Sequence, residues 1–358
     1  MSTDTVLVTG ALGLVGSAVV RRLADEGRRV VATDVDVPAN RKKAARLDRS
    51  TGVEMRWADL TDAGAVDALV HGVAPEVIVH LAAVIPPACY ANRGLARKVN
   101  VGATASLVRA ASALPAAPRF LLASSVAVYG ARNPHRCSGL LTPALAPDPC
   151  DLYGAHKVEA EKLVTGSGLD RVILRLGGVI SPTPPTDAGA DMMRFSAALP
   201  VDGRIQTVDV RDVACAFAAA TTTDATAEVF LIGGDDSHRT SHGALTASMI
   251  SAAGLANALP AARRGDPASD GDWFPTDWVD ASRAQEVLAF QHHSLADTLA
   301  EARAIVGWRR VPLRVLAPVL RGYLSLRDPY RHTPGEFADV WGAIGRIWGD
   351  PSPDAASG

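Results

Sequence analysis

Residues 5–16 read TVLVTGALGLVG: an apolar, β-branched run that breaks into three glycines spaced three apart, Gly10, Gly13 and Gly16. A strand that meets glycines at its end has to turn sharply into a helix. Glycine permits that turn, and it lets backbone approach a pyrophosphate at the helix N-terminus, where free N–H groups and the helix dipole favour negative charge.

Working outward, the second strand, RRVVATD, ends in Asp34, 18 residues after Gly16. A carboxylate there accepts hydrogen bonds from the adenosine ribose hydroxyls and repels a 2′-phosphate, so the expected cofactor is NAD rather than NADP. Arg41, Lys42 and Lys43 would hold a phosphate only if their loop folded back, and a basic run is ordinarily solvated surface. Asp59-Leu60 and His80-Leu81-Ala82-Ala83 follow the third and fourth strands, at the sheet edge where ligands bind. His80 is expected to be a hydrogen-bonded core histidine, and Asp59 to cap a helix starting at Thr61.

Further short β-branched runs follow at VEMRW, EVIVHLA, RFLLASS, RVILRL and EVFLIGG, separated by Ala/Leu-rich helical text. This alternation implies an α/β fold, a doubly wound parallel sheet with helices on both faces. At SPTPPTDAGAD, from Ser181, the chain is expected to leave the sheet for a smaller, discontinuous substrate lobe over 181–305. The sheet domain then covers 1–180, with a return near 205–235 through DVRDVACAF and EVFLIGG. Residues 306–358 form a C-terminal helical extension and tail. Within it, 308–332 is basic and amphipathic and is expected to pack on the body rather than to meet a membrane surface or a partner, Pro312 and Pro318 argue against one long helix, and PSPDAASG reads as disordered.

With 48% hydrophobic and 21% charged residues and a net charge of −2, the chain has no composition-level attraction to nucleic acid or anionic lipid. Its expected partner is a small molecule. No signal peptide or membrane span is visible, and Cys89, Cys137, Cys150 and Cys215 lack metal-ligand spacing, so reduced thiols, no metal and a cytoplasmic location are expected.

The chemistry concentrates at the fifth strand and after it. LLASSVAVYG brings Ser124 and Ser125 to the strand end, and DLYGAHKVE, residues 151–159, sets Tyr153 and Lys157 four apart on one helix face. Removing hydride from a secondary alcohol needs a base for its hydroxyl proton, and a phenol is too weakly ionised at neutral pH unless positive charge lowers its pKa. Lys157 would supply that charge, Tyr153 the base, and a serine hydroxyl would bond the reacting oxygen.

In order and spacing, TGALGLVG, Asp34, Asp59-Leu60, HLAA, Asn100, SSVAVYG and YGAHK resemble the extended short-chain dehydrogenase/reductases, the NAD-dependent epimerase/dehydratase group, over roughly residues 4 to 305. WVDASRAQEVLAF resembles a late segment of the same family. The resemblance implies a Rossmann-type sheet and catalysis by Ser125, Tyr153 and Lys157. It also implies a cofactor site of Gly10, Gly13, Leu14, Val15, Gly16, Asp34, Asp59, Leu60, Leu81, Ala82, Ala83 and Asn100 with Tyr153 and Lys157, Asn100 supporting the Lys157 region. Val84, Ser124, Ser125 and Gly178 would face substrate, and helices near 92–114 and 151–165 would pair in a homodimer.

The sequence departs from the family's dehydratases, which carry Asp-Glu where this chain has Val126-Ala127, so neither residue can transfer the protons of dehydration. Gly178 stands where sugar-nucleotide enzymes usually have asparagine, and Arg204 is out of register for their diphosphate clamp. RLGGVISPTPP is closer to the sugar-acid dehydrogenases. The expected function is therefore NAD-dependent oxidation of a secondary alcohol, or reduction of the ketone, in a sugar acid or similar molecule. Nucleotide-sugar 4-epimerisation is the alternative, and a non-catalytic NAD-binding role the second. Thr183, Thr186, Arg194 and Arg211 are the polar candidates in the lobe.

Overall fold

A computed structural model describes residues 4–183, 189–256 and 258–355. Seven of its strands form one parallel sheet: β1 (Thr5–Thr9), β2 (Arg29–Asp34), β3 (Glu54–Trp57), β4 (Val77–His80), β5 (Arg119–Ser125), β6 (Arg171–Leu176) and, after two strands that lie elsewhere, β9 (Glu228–Ile232). Their order is β3-β2-β1-β4-β5-β6-β9, so the direction of winding reverses between β1 and β4. A crevice opens at the carboxyl edge where that reversal occurs.

Period-two alternation decides which helices cover which face. Val6 and Val8 of β1 point to one side, where they join Val19, Val20 and Leu23 of α1 (Leu14–Asp25), Leu47 of α2 (Pro38–Thr51) and Phe217 of a later helix, Val210–Ala220. Leu7, between them, points to the other side. There it meets Val66 and Leu69 of α3 (Ala63–Val73) and, further along the chain, Leu107 of Ala103–Ser112 and Val164 of Leu152–Thr165. Both faces are buried, which is why the strands read as continuous apolar runs.

Between β4 and β5 come α4 (Ala88–Ala91), α5 (Arg93–Arg97), a π-helical turn at Lys98–Gly102 and α6 (Ala103–Ser112); α7 (Leu152–Thr165) leads into β6. The lobe contains α8 (Gly189–Ala198) and a small sheet ordered β10-β8-β7, from β7 (Gly178–Ile180), β8 (Arg204–Asp209) and β10 (Arg239–Ser241). Residues 204–209 thus do not return to the main sheet; only 228–232 does. Nor is the following VRDVACAF a strand: Asp209 accepts from Arg211 N and caps α9 (Val210–Ala220), whose alanine-rich text favours helix.

The remaining helices are α10 (His242–Ala252), α11 (Ser282–Leu288), α12 (Leu295–Val306), α13 (Arg310–Leu326) and α14 (Val340–Trp348). Two expectations about this end are corrected. Helix α13 is continuous through both prolines, because Pro312 sits in the first turn, where no N–H partner is needed, and the carbonyl that Pro318 leaves free belongs to solvent-exposed Arg314. The final segment is docked rather than loose as far as it is described. Asp354 binds Arg93 (2.8 Å), Arg97 (3.1 Å) and His156 (3.0 Å), and the carbonyl of Pro351 accepts from Leu152 N. Helix α14 is not an appendage either: Ile344 packs in one cluster with Tyr90, Leu152 and Phe195.

Candidate active site

The glycine turn is shaped by contacts that exclude side chains. Gly10 has φ +63°, and a Cβ on it would lie 2.7 Å from Ala82 Cα; a Cβ on Gly16 would overlap the carbonyl oxygen of Gly10. Gly13 starts α1 with no side-chain cap, leaving the first N–H groups, at Leu14, Val15 and Gly16, to face the crevice. This close, uncapped turn fits a dinucleotide pyrophosphate. Asp34 is held at the end of β2 by Leu12 N (3.0 Å), Val35 N (2.8 Å) and Asn40 Nδ2 (3.0 Å). Arg41 is turned away from it to pair with Asp36 at 2.6 Å on the surface.

Asp59 accepts from Thr61 N and its hydroxyl, whereas the cap of α3 is Asp62, bonded to Gly64 N; the expected capping role falls three residues later. Leu60 is a core residue of the sheet's second face. His80 is buried between Thr9 (2.7 Å) and Thr104 (3.0 Å), and burial lowers its pKa to about 3. It is a neutral structural histidine, as the sequence suggested.

Asn100 lies in the π-helical turn and clamps Val84 from both sides, accepting from Val84 N at 2.8 Å and donating to Val84 O at 2.9 Å. Its side chain therefore fixes the strand-to-helix loop rather than contacting Lys157. Val84 itself is held by its backbone, and its neighbours Ala83 and Ile85 line the crevice.

A cleft of ≈ 430 Å³ extends from the glycine turn past Ser125, Tyr153 and Lys157 to Gly178, Phe195 and Thr276. Asp151 caps α7, taking Tyr153 N (3.2 Å), Gly154 N (3.0 Å) and the hydroxyl of Tyr90 (2.6 Å), which fixes the start of the helix that presents Tyr153. Ser125 ends β5 and accepts from Ala127 N. The three residues expected to act together do meet at one place. Burial, however, pushes the Tyr153 phenol up, with the hydrogen bond from Ser125 opposing it in part. Burial also lowers Lys157 to about 8, opposed by the Glu161 carboxylate. The phenol thus keeps its proton at neutral pH, and the lowering expected from Lys157 is not among the influences on it, which are burial, Cys89, Asp151 and the Ser125 hydrogen bond.

Ser124 does not face the cleft with its hydroxyl, which donates to buried Glu161. Glu161 takes a two-pronged bond from Arg175 (2.9 and 2.6 Å), whose remaining nitrogen donates to Tyr129 Oη at 2.6 Å. This chain of groups under β5 went unread in the sequence. So did Asp151, although an aspartate just before a helical run is a recognisable cap.

The substrate side is apolar: Ile85, Pro86, Val179, Phe195 and Phe274, with Thr276 already bonded to Arg204 O (2.8 Å) and His242 (2.9 Å). Lys157 is the one cationic side chain among the described residues of this lining. Arg204 stacks on Trp278 (4.7 Å), Arg211 pairs with Asp209 and Glu301, Arg194 lies over Trp348 (5.9 Å), and Thr183 N bonds Ser181. Thr186 lies outside the described residues. Phe274 and Thr276 carry no local sequence signal, since only the fold brings them to the cleft.

A glycine turn at the reversal point of a doubly wound sheet, facing a Tyr-x-x-x-Lys helix, is the arrangement of a dinucleotide-binding protein class of Rossmann type. Residues 6–233 match the NAD dependent epimerase/dehydratase family, and the chain belongs to it. NAD is the cofactor of that family. Among curated relatives, it is 32% identical over 173 residues to methionine adenosyltransferase 2 subunit beta of Rattus norvegicus, covering 48% of this chain and 46% of that one. It is 28% identical over 218 residues to D-erythronate dehydrogenase of Cupriavidus necator, covering 55% and 62%. The matched part thus spans about half the length of the curated relatives. The fold superposes on UDP-glucuronic acid 4-epimerase from Bacillus cereus with a TM-score of 0.67 at 21% identity, over 84% of this chain and 98% of the other.

Proposed function

We propose that the chain is an NAD-dependent dehydrogenase or reductase that acts on a secondary alcohol or ketone of a hydroxylated small molecule, a sugar acid or similar. The observation that carries this reading is the convergence of Ser125, Tyr153 and Lys157 at one end of a cleft whose other end is the glycine turn. NAD, when bound, supplies the hydride acceptor or donor. Gly10 to Gly16 would hold its pyrophosphate and Asp34 its adenosine ribose, with Lys157 on the nicotinamide ribose.

Tyr153 exchanges the proton of the reacting oxygen. In the reduction direction its protonated phenol donates to the carbonyl; in oxidation it must first lose its proton, which the Lys157 ammonium favours. Ser125 donates to the same oxygen and stabilises charge developing on it. Burial of the Tyr153 phenol supports the reduction direction as the easier start.

Among relatives, D-erythronate dehydrogenase supports a redox reaction on a hydroxy acid. The apolar walls favour substrates with an uncharged flank. They weigh more heavily against nucleotide-sugar 4-epimerisation than against a small acid, because a diphosphate brings more negative charge than a single carboxylate and the described lining offers Lys157 alone. A screen of D-erythronate, other hydroxy acids, secondary alcohols and UDP-sugars, followed by NADH absorbance, tests the reading. UDP-sugar interconversion without net NADH would replace it with the epimerase, and NAD binding without turnover of any candidate with the binding-only role.

The proposed assembly is a homodimer through α5 to α7. On that face Arg97 already bridges Glu159 (3.0 Å) and Asp354 (3.1 Å), so the partner would have to pack around the docked final segment. Light scattering at micromolar concentration should give twice the chain mass; a monomer would remove the dimer from the proposal.

A further inference from the structure

Helix α13 has two apolar sides. At about 100° per residue, Leu313, Ala317, Leu320 and Leu324 fall on one of them, and Ala317 and Leu324 are buried against the body. Directly opposite, Val311, Val315, Val319 and Leu326 stand 68%, 76%, 71% and 62% exposed, and Trp308, just before the helix, is 78% exposed. A helix that merely packs on a globular body has one apolar stripe and a polar outer face. The outer stripe of α13 answers no need of the fold.

Its flanks are equally one-sided. Arg314 and Arg321 border one edge of the stripe, Arg309 and Arg327 the other. Between Glu301 and Asp328 the sequence has six arginines and no carboxylate, a local excess that the overall charge of −2 conceals. Among the described ion pairs none engages these four arginines, and Arg327 instead lies over the ring of Tyr323 at 4.7 Å. The helix is unable to cross a membrane: no described helix is long and apolar enough.

An apolar stripe between rows of arginine, with Trp308 before it and Tyr323 near its end, is the chemistry of a helix lying in a bilayer interface. The stripe enters the acyl boundary, guanidinium groups reach lipid phosphates, and the aromatic rings sit at headgroup level. A second copy of this chain is a poorer occupant, because a two-fold contact on this face would set arginine rows against each other without an acidic counterpart. We propose that α13 is a peripheral docking helix that seats the protein on an anionic membrane surface.

The test uses the full chain, sedimented with vesicles of phosphatidylcholine alone and of phosphatidylcholine mixed with phosphatidylglycerol. Binding is expected only to the mixed vesicles, weakening about tenfold or more between low and high salt as the arginine contacts are screened. The double variant Val315→Asp with Val319→Asp should lose vesicle binding, and Arg314→Glu with Arg321→Glu should lose it as well. Both pairs lie on the solvent side, so melting temperature and NAD binding should stay at wild-type values. Absence of binding to the mixed vesicles, or equal binding by the Val315→Asp, Val319→Asp protein, overturns the proposal. So does a solution dimer that this variant dissociates, which would make a second copy the occupant.

Discussion

Lys157 lies over the ring of Tyr153, with Nζ 5.7 Å from the ring centre, while its hydrogen bond goes to the carbonyl of Ala123 at 2.7 Å. The ammonium group is therefore tethered to β5, and in the proposed mechanism it would act on the phenol through space rather than by a hydrogen bond. The two side chains should fail differently. Tyr153→Phe keeps the ring's packing and removes the exchangeable proton, so turnover should fall by about 10²–10⁴-fold with NAD affinity nearly unchanged. Lys157→Met should reduce both. Steady-state rates with calorimetric NAD titration separate the cases, and a Tyr153→Phe enzyme with wild-type turnover would refute the mechanism.

The Lys157 ammonium, lowered by burial to about 8, also sets a pH dependence. NAD affinity should decline as pH rises through that value, because the deprotonated amine loses its charge. Stability moves the other way. Between about 8 and 10.5 the unfolded chain binds the proton that the folded chain has released, so this residue's contribution to stability rises with pH across that window. Urea midpoints measured against pH for wild type and Lys157→Met would show the rise in the first and its loss in the second.

Asp34 should choose the cofactor. Both carboxylate oxygens are oriented by the chain's own donors at 2.8–3.0 Å, which holds negative charge at the strand end where a 2′-phosphate would sit. NAD should bind at least about tenfold more tightly than NADP in wild type, and Asp34→Ala should narrow the gap mainly by weakening NAD. Equal wild-type affinities would transfer the ribose-recognition role elsewhere.

The Glu161–Arg175 pair should behave as a buried unit. Removing one partner, as in Arg175→Met, strands the other charge and should cost about 3–5 kcal/mol in urea unfolding. The double change Glu161→Gln with Arg175→Met should recover much of that loss. If the single variant melts like wild type, the pair is solvated and Ser124 is not anchored by it.

Much of this was legible because the governing signals are local. The β-branched run into Gly10, the Asp34 strand end and the Tyr153–Lys157 spacing each state their geometry within a few residues. The lobe was read less well for the opposite reason. The strand at residues 204–209 was not among those expected, and which sheet it joins depends on β7 and β10, in other segments of the chain. The apolar substrate wall draws Phe195 and Phe274 from separate segments, and Glu161 meets Arg175 only once α7 has packed on β6. Tyr153 shows the limit of residue chemistry alone: spacing places it correctly, yet its protonation is decided by burial, which no short stretch encodes.

Asp354 reaches back 198 positions to His156, and the neighbouring Pro351 carbonyl receives Leu152 N, one residue before Tyr153. During synthesis the ribosome releases the sheet and the glycine turn long before it releases these contacts. A chain cut before Pro351 would therefore keep the residues of the sheet and the glycine turn while its tyrosine helix lacked the bonds to Leu152 and His156.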